Sequence, residues 1–172
     1  MTNPLLNKTN QVIDFELINA QHISEATKHA INKATDDLEK IFEIEKDQRT
    51  FENTMLTLDN IYNDLMKVSE VISLLAYVHP VDDIRNECLA KISEFGKFFN
   101  ELGLNEYLYK SVKDYSKLDE AENLTGAYKK FLKETVEEFE RNGFALTKEK
   151  RAELKIIKDS LSDLGIQFES NI

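Results

Sequence analysis

A chain of 172 residues suits one domain with a core large enough to fold without disulfides or a structural metal. Only two prolines and five glycines, set among abundant Leu, Ile, Glu and Lys, favour an all-helical chain, and no alternating apolar and polar run is long enough for a strand. The formal charge is −10 with Lys and Arg scattered, which argues against nucleic acid and anionic membranes as partners.

Residues 1–18 read as an extended strap over the bundle, with Asn3-Pro4-Leu5-Leu6 first and then alternating Ile13, Phe15 and Leu17. A first helix is predicted from about Asn19 to Ile44, with Ile23, Ala26, Ile31, Ala34, Leu38 and Ile41 on its inner face. Residues 47–50 connect it to the next helix, for which Thr50 is a candidate N-cap.

That helix, over residues 51–78, is the centre of the predicted fold. Phe51, Leu58, Ile61, Leu65, Val68, Ile72 and Leu75 recur at three- and four-residue steps, with Thr54 interrupting the row. Val71, Leu74 and Val78 add a second apolar row, so the helix is expected to be buried over most of its circumference. At ~1.5 Å per residue it runs roughly 40 Å. His79-Pro80 ends it, because the residue before a proline is pushed out of the α region.

A third helix is predicted from about Asp82 to Leu102, with Ile84, Cys88, Ile92, Phe95 and Phe99 on one side and Gly103 at its end. Asn105 caps a short fourth helix carrying Leu108, Val112 and Tyr115. A fifth spans roughly Glu120 to Arg141, with Leu124, Tyr128, Phe131, Leu132, Thr135 and Phe139 inward, and Asn142-Gly143 is a left-handed stop. Phe144, Ala145 and Leu146 form a hydrophobic joint. Thr147 then caps a last helix from Lys148, whose apolar row is Leu154, Ile157, Leu161, Leu164 and Phe168. The expected fold is all-α: residues 1–172 as a single helical domain, a multi-helix antiparallel bundle with a long central helix and an extended N-terminal strap.

The sequence is poor in chemistry. A zinc-protease helix needs His-Glu-x-x-His, and no such motif is present among His22, His29 and His79. His22 and His29 are two turns apart, about 10 Å along the axis, too far to share an ion directly; even with Glu25 between them they read as a solvated helix face. Paired Glu-x-x-His motifs of a di-iron bundle are missing too. Cys88, the one cysteine, makes no internal disulfide; it fits a reducing compartment and, on an apolar face, reads as a buried structural thiol. The acidic runs 119–122 and 134–140 read as solvated helix faces. No N-terminal apolar run resembles a signal peptide, and no stretch reaches the ~18 uncharged apolar residues of a membrane span, so a cytoplasmic location is expected. Catalytic and metal-binding residues are therefore predicted to be none, and substrate-binding residues are not identified.

Several stretches, in order, resemble the N-terminal region of the thimet oligopeptidase, neurolysin and oligopeptidase A family. They are Met1 to Leu6; Thr50-Phe51-Glu52-Asn53-Thr54 followed by Leu58-Asp59; Val78-His79-Pro80 with Asp83-Ile84-Arg85 and Leu89 to Phe95; Arg141 to Leu146; and Leu161 to Asn171. The resemblance implies a zinc metallopeptidase that cleaves short peptides in a deep channel between two mostly helical lobes. It implies that this chain forms channel wall, with the catalytic domain of the same polypeptide as partner and short peptides as substrates of the parent enzyme. The family's zinc ligands lie on a His-Glu-x-x-His helix, so none carries over to this sequence and no cofactor is expected in this chain. A fragment of a longer polypeptide, inactive alone, is the expected form. Its last helix and the strap, through Leu161, Leu164, Phe168, Ile13 and Phe15, are expected to expose apolar surface and drive self-association or fraying. The alternative is a free-standing helical adaptor that binds a partner helix in an apolar groove.

Overall fold

The computed structural model describes residues 3–6, 12–144 and 146–170, and these form an all-α bundle without strands. Helix α1 (Ala20–Glu43) starts one residue past the expected Asn19, which is extended and caps it: its side chain accepts from the His22 N–H, filling one of the orphan donors of the first turn. Its buried face is Ile23, Ala26, Ala30, Ala34, Leu38 and Ile41, with small residues that let neighbouring helices approach. Thr27 is also buried, at no hydrogen-bonding cost, because its hydroxyl donates to the Ile23 carbonyl at 2.9 Å. At the other end the buried Arg49 folds back and donates Nη1 to the Ile41 carbonyl at 3.0 Å.

The central helix has two parts, a wide π-type segment, Phe51–Leu56, and α2 (Thr57–Val78). Thr50 caps it with a reciprocal pair: the Asn53 N–H donates to Thr50 Oγ1 at 3.1 Å, and the Thr50 N–H donates to Asn53 Oδ1 at 2.8 Å. Glu120 adds a carboxylate at this N-terminus, accepting from the Phe51 N–H at 3.2 Å. The wide segment changes the register, so Thr54 and Met55 both point inward and are fully buried. Thr54 therefore continues the stripe rather than interrupting it. From there Leu58, Ile61, Leu65, Val68, Ile72 and Leu75 are buried as the spacing predicts.

The second apolar row is a correction. Val71 is half-buried, but Leu74 and Val78 are 52% and 63% exposed. Helices α1 and α3 (Asp82–Gly103) pack on one another and on α2, whereas Leu74 and Val78 lie on another face that lines an open groove with Phe15. Beyond the Pro80 break, α3 buries Cys88, Phe95 and Leu102. Helix α4 (Glu106–Tyr115), capped by Asn105 through the Leu108 N–H at 2.9 Å, buries Leu108, Val112 and Tyr115.

The single fifth helix is also corrected. It is divided into α5 (Asp119–Glu122) and α6 (Gly126–Phe139). Asn123 Nδ2 donates back to the Asp119 carbonyl at 2.7 Å and closes the first piece. Gly126 then takes φ +56, which glycine adopts without a Cβ penalty. On α6 Leu132 and Phe139 are buried, whereas Tyr128 is 60% exposed and covers Phe51 with its ring, centroids 4.6 Å apart. The stop at Gly143 is left-handed as expected, at φ +119; a Cβ there would lie 2.9 Å from Leu154 Cδ2. In the joint that follows, Phe144 is half-buried and stacks on Tyr109 at 4.4 Å. Leu146 is exposed, and Ala145 lies outside the described residues.

The described parts of the strap are turned rather than extended. Pro4–Leu6 and Phe15–Leu17 are 3-10 turns, coiled by local caps: Asn3 Oδ1 accepts from the Leu5 N–H at 3.0 Å and Asp14 Oδ1 from the Glu16 N–H at 3.2 Å. Residues 1–2 and 7–11 of the expected strap lie outside the described residues.

Candidate functional site

The last helix, α7 (Lys148–Ser170), is the most unusual element of the bundle. Thr147 caps it weakly, accepting from the Lys150 N–H at 3.5 Å. It runs antiparallel to α3, because Asp163 meets Ser93, Asp159 meets Asn100 and Lys155 meets Glu101. This seam is polar. Ser93 donates its hydroxyl to Asp163, Asn100 Nδ2 donates to Asp159 Oδ1 at 2.9 Å, and Lys97 pairs with Asp163 at 3.3 Å. Lys158 donates to Asn142 Oδ1 at 2.8 Å, and Arg151 pairs with Glu106 at 3.2 Å while its guanidinium lies 4.7 Å over the Phe144 ring.

The seam's carboxylates are tuned to stay ionised. The Ser93 hydrogen bond, helped by Lys97, holds Asp163 below the usual carboxylate range. Burial pushes Asp159 up, but Lys155 and Asn100 together outweigh it and hold it low. Depressed carboxylates contribute most above their unfolded range, so the seam weakens as pH falls through it.

The apolar row of α7 faces away from this seam. Ile157, Leu161, Leu164 and Phe168 are between 60% and 69% exposed, and Ile156 beside them is 67% exposed. An amphipathic helix ordinarily turns its apolar stripe to the core. Here the polar face is anchored and the apolar face is presented. Leu161, Leu164, Phe168 and, at 44%, Phe15 are exposed as expected, while Ile13 is half-buried against the core. A second apolar surface lies where α2 ends: Phe15, Leu74, Val78 and Pro80 line a groove of about 420 Å³.

The sequence's chemical candidates are dispersed. His22 is half-buried with Nδ1 3.0 Å from the Leu17 carbonyl, His29 is exposed on the next turns of α1, and His79 Nδ1 accepts from the Val81 N–H at 3.1 Å. Cys88 is buried, and burial together with the Glu87 charge pushes its thiol up to about 11, which keeps it protonated and unreactive. Among the described residues no group of three or more His, Cys, Asp and Glu side chains is placed to hold a metal ion. Dialysis of the chain against zinc, followed by metal analysis, is expected to give well under one ion per chain; one tightly held ion would contradict the reading of His22 and His29 as surface residues.

The described residues thus form an all-α bundle that holds the polar face of its last helix and carries that helix's apolar face outward. Residues 27–151 match the family model for the N-terminal domain of neurolysin/thimet oligopeptidase, and the chain belongs to that family. It is 33% identical over 141 residues to the thimet-like oligopeptidase of Dictyostelium discoideum, covering 78% of this chain and 20% of that protein. It is 27% identical over 172 residues to oligopeptidase A of Escherichia coli (strain K12), covering 100% of this chain and 25% of the relative. Oligopeptidase A of Haemophilus influenzae is similar at 27% identity over 175 residues. The chain thus spans a quarter or less of the length of these relatives. No helix among the described residues is long and apolar enough to cross a membrane.

Proposed function

We propose that this chain is the N-terminal helical part of a larger, cytoplasmic, zinc-dependent oligopeptidase, and that it forms wall of a channel which admits short, unstructured peptides. Its role is steric. The bundle restricts access, while a zinc ion held elsewhere in the polypeptide would supply the Lewis-acid chemistry of hydrolysis. Family membership supports the peptidase assignment, and the length of the relatives supports a further domain as the partner. The observation that carries the reading is α7: its apolar row is exposed over about three turns although its polar face is firmly held, and a covering domain explains that arrangement. A free-standing adaptor would also present an apolar face; family membership and the length of the relatives favour a covering domain.

The test is hydrolysis of an internally quenched short peptide by the longer polypeptide that contains this chain. The longer polypeptide is expected to cleave the peptide in a zinc-dependent manner and to leave a folded protein intact, while the isolated chain cleaves neither. Cleavage by the isolated chain, or equal cleavage of folded proteins by the longer polypeptide, would overturn the proposal.

A further inference from the structure

Helices α2 and α6 do not close on each other along their whole length; between them lies a cleft of about 230 Å³. Its inner wall is apolar, made by the buried Leu58 and Phe139 and the half-buried Phe131 and Tyr62. Tyr62 is fixed from behind by Phe99, whose ring is parallel to it within 4° at 6.2 Å. At the mouth stand two exposed carboxylates, Asp59 on α2 and Glu138 on α6. Neither makes an ion pair or hydrogen bond with any described residue, whereas many other acidic residues of the surface are paired with lysine or arginine.

No lysine or arginine lines the cleft. Lys158, which reaches its edge, is committed to Asn142 Oδ1. Thr135 spends its hydroxyl proton on the Phe131 carbonyl at 2.8 Å, leaving oxygen lone pairs toward the cleft. Beside the Tyr62 hydroxyl and the Asn142 amide, which can also donate, the lining offers acceptors, negative charge and an aromatic face. The wide segment Phe51–Leu56 leads directly into Leu58 and Asp59, and Asn142 stands just before the left-handed stop at Gly143. A widened segment of the Phe51–Leu56 kind recurs where a helix is shaped around a site.

We propose that this cleft binds a small organic cation, an ammonium or guanidinium on an apolar stem, with the charge between Asp59 and Glu138 and the stem against Tyr62 and Phe131. Its volume is below the ~300–1,000 Å³ of pockets for larger cofactors, so it accommodates something the size of one amino-acid side chain. An aromatic wall attracts the cation and the carboxylates set the sign of the ligand. The inference rests on the cleft alone and stands whether or not the parent polypeptide is a peptidase.

The test is a methyl and amide NMR titration of the chain with benzylammonium, benzyl alcohol and benzoate. Benzylammonium is expected to give saturable shifts centred on Leu58, Tyr62 and Thr135, with benzyl alcohol binding at least ~5-fold more weakly and benzoate undetectable. Glu138→Gln and Asp59→Asn, both at exposed positions that fold requirements do not reach, are each expected to weaken benzylammonium by about 3- to 10-fold without changing benzyl alcohol. Equal affinity for the alcohol and the ammonium, shifts scattered over other surfaces, no saturation, or unchanged affinity in both variants would each overturn the proposal.

Discussion

Leu65→Ala and Ile72→Ala are each expected to lower the free energy of unfolding by about 2–5 kcal/mol, the range for truncating a fully buried aliphatic side chain. Both residues are 0% exposed on α2, where α1 and α3 converge, so neither site has solvent or a loose neighbour to fill the space left behind. Met55→Ala belongs in the same class, because the wide segment turns it fully into the core. Asn63, exposed on the outer side of the same helix, should tolerate alanine within about 0.5 kcal/mol. Urea midpoints for the four variants check this. Equal small effects at all of them would mean that the α2 stripe is not the core.

Helix positions and caps were readable because they rest on local chemistry. Thr50, Asn105 and Thr147 each accept from a backbone N–H within the first turn, and no tertiary contact is needed to say so. Pro80 and Gly143 interrupt the chain for equally local reasons. The errors arose where a nonlocal fact decides. Helical periodicity counts apolar rows but does not say how many neighbours a helix has, so Leu74 and Val78 looked buried. The π-type register at Phe51–Leu56, which brings in Thr54 and Met55 together, has no signature in an α-helical template. The break before Gly126 had a local signal, Asn123 followed by Gly126, which the apolar spacing across it obscured.

The candidate surface was legible in part. The row Leu161, Leu164 and Phe168 is plain in the sequence, and its exposure follows once the rest of the chain offers too little apolar surface to cover it. What periodicity alone did not reveal is the polar seam on the other face. Ser93, Lys97, Asn100 and Glu101 on α3 read as ordinary solvated positions until α7 is laid against them. The cleft between α2 and α6 was likewise invisible, because Asp59 and Glu138 are far apart in sequence and come to line one cleft only through the fold.

An uncovered apolar row on a firmly seated helix is expected to find a partner, and in the isolated chain the available partner is a second copy. Contiguous apolar patches of more than a few hundred Å² are uncommon on monomers, and the α7 row is supplemented by Ile156. Replacing Leu164 and Phe168 by glutamate places two charges in that row without touching Asp159, Ser162 or Asp163, which hold the helix to α3, so the fold should survive while the surface is lost. The decisive measurement is the weight-average mass by light scattering across a wide concentration range, on the chain and on the Leu164→Glu, Phe168→Glu variant. The predicted result is a mass that climbs with concentration for the chain and stays at the 19.9 kDa monomer for the variant. A chain that remains monomeric at every concentration, indistinguishable from its variant, would contradict the reading of α7 as a docking face.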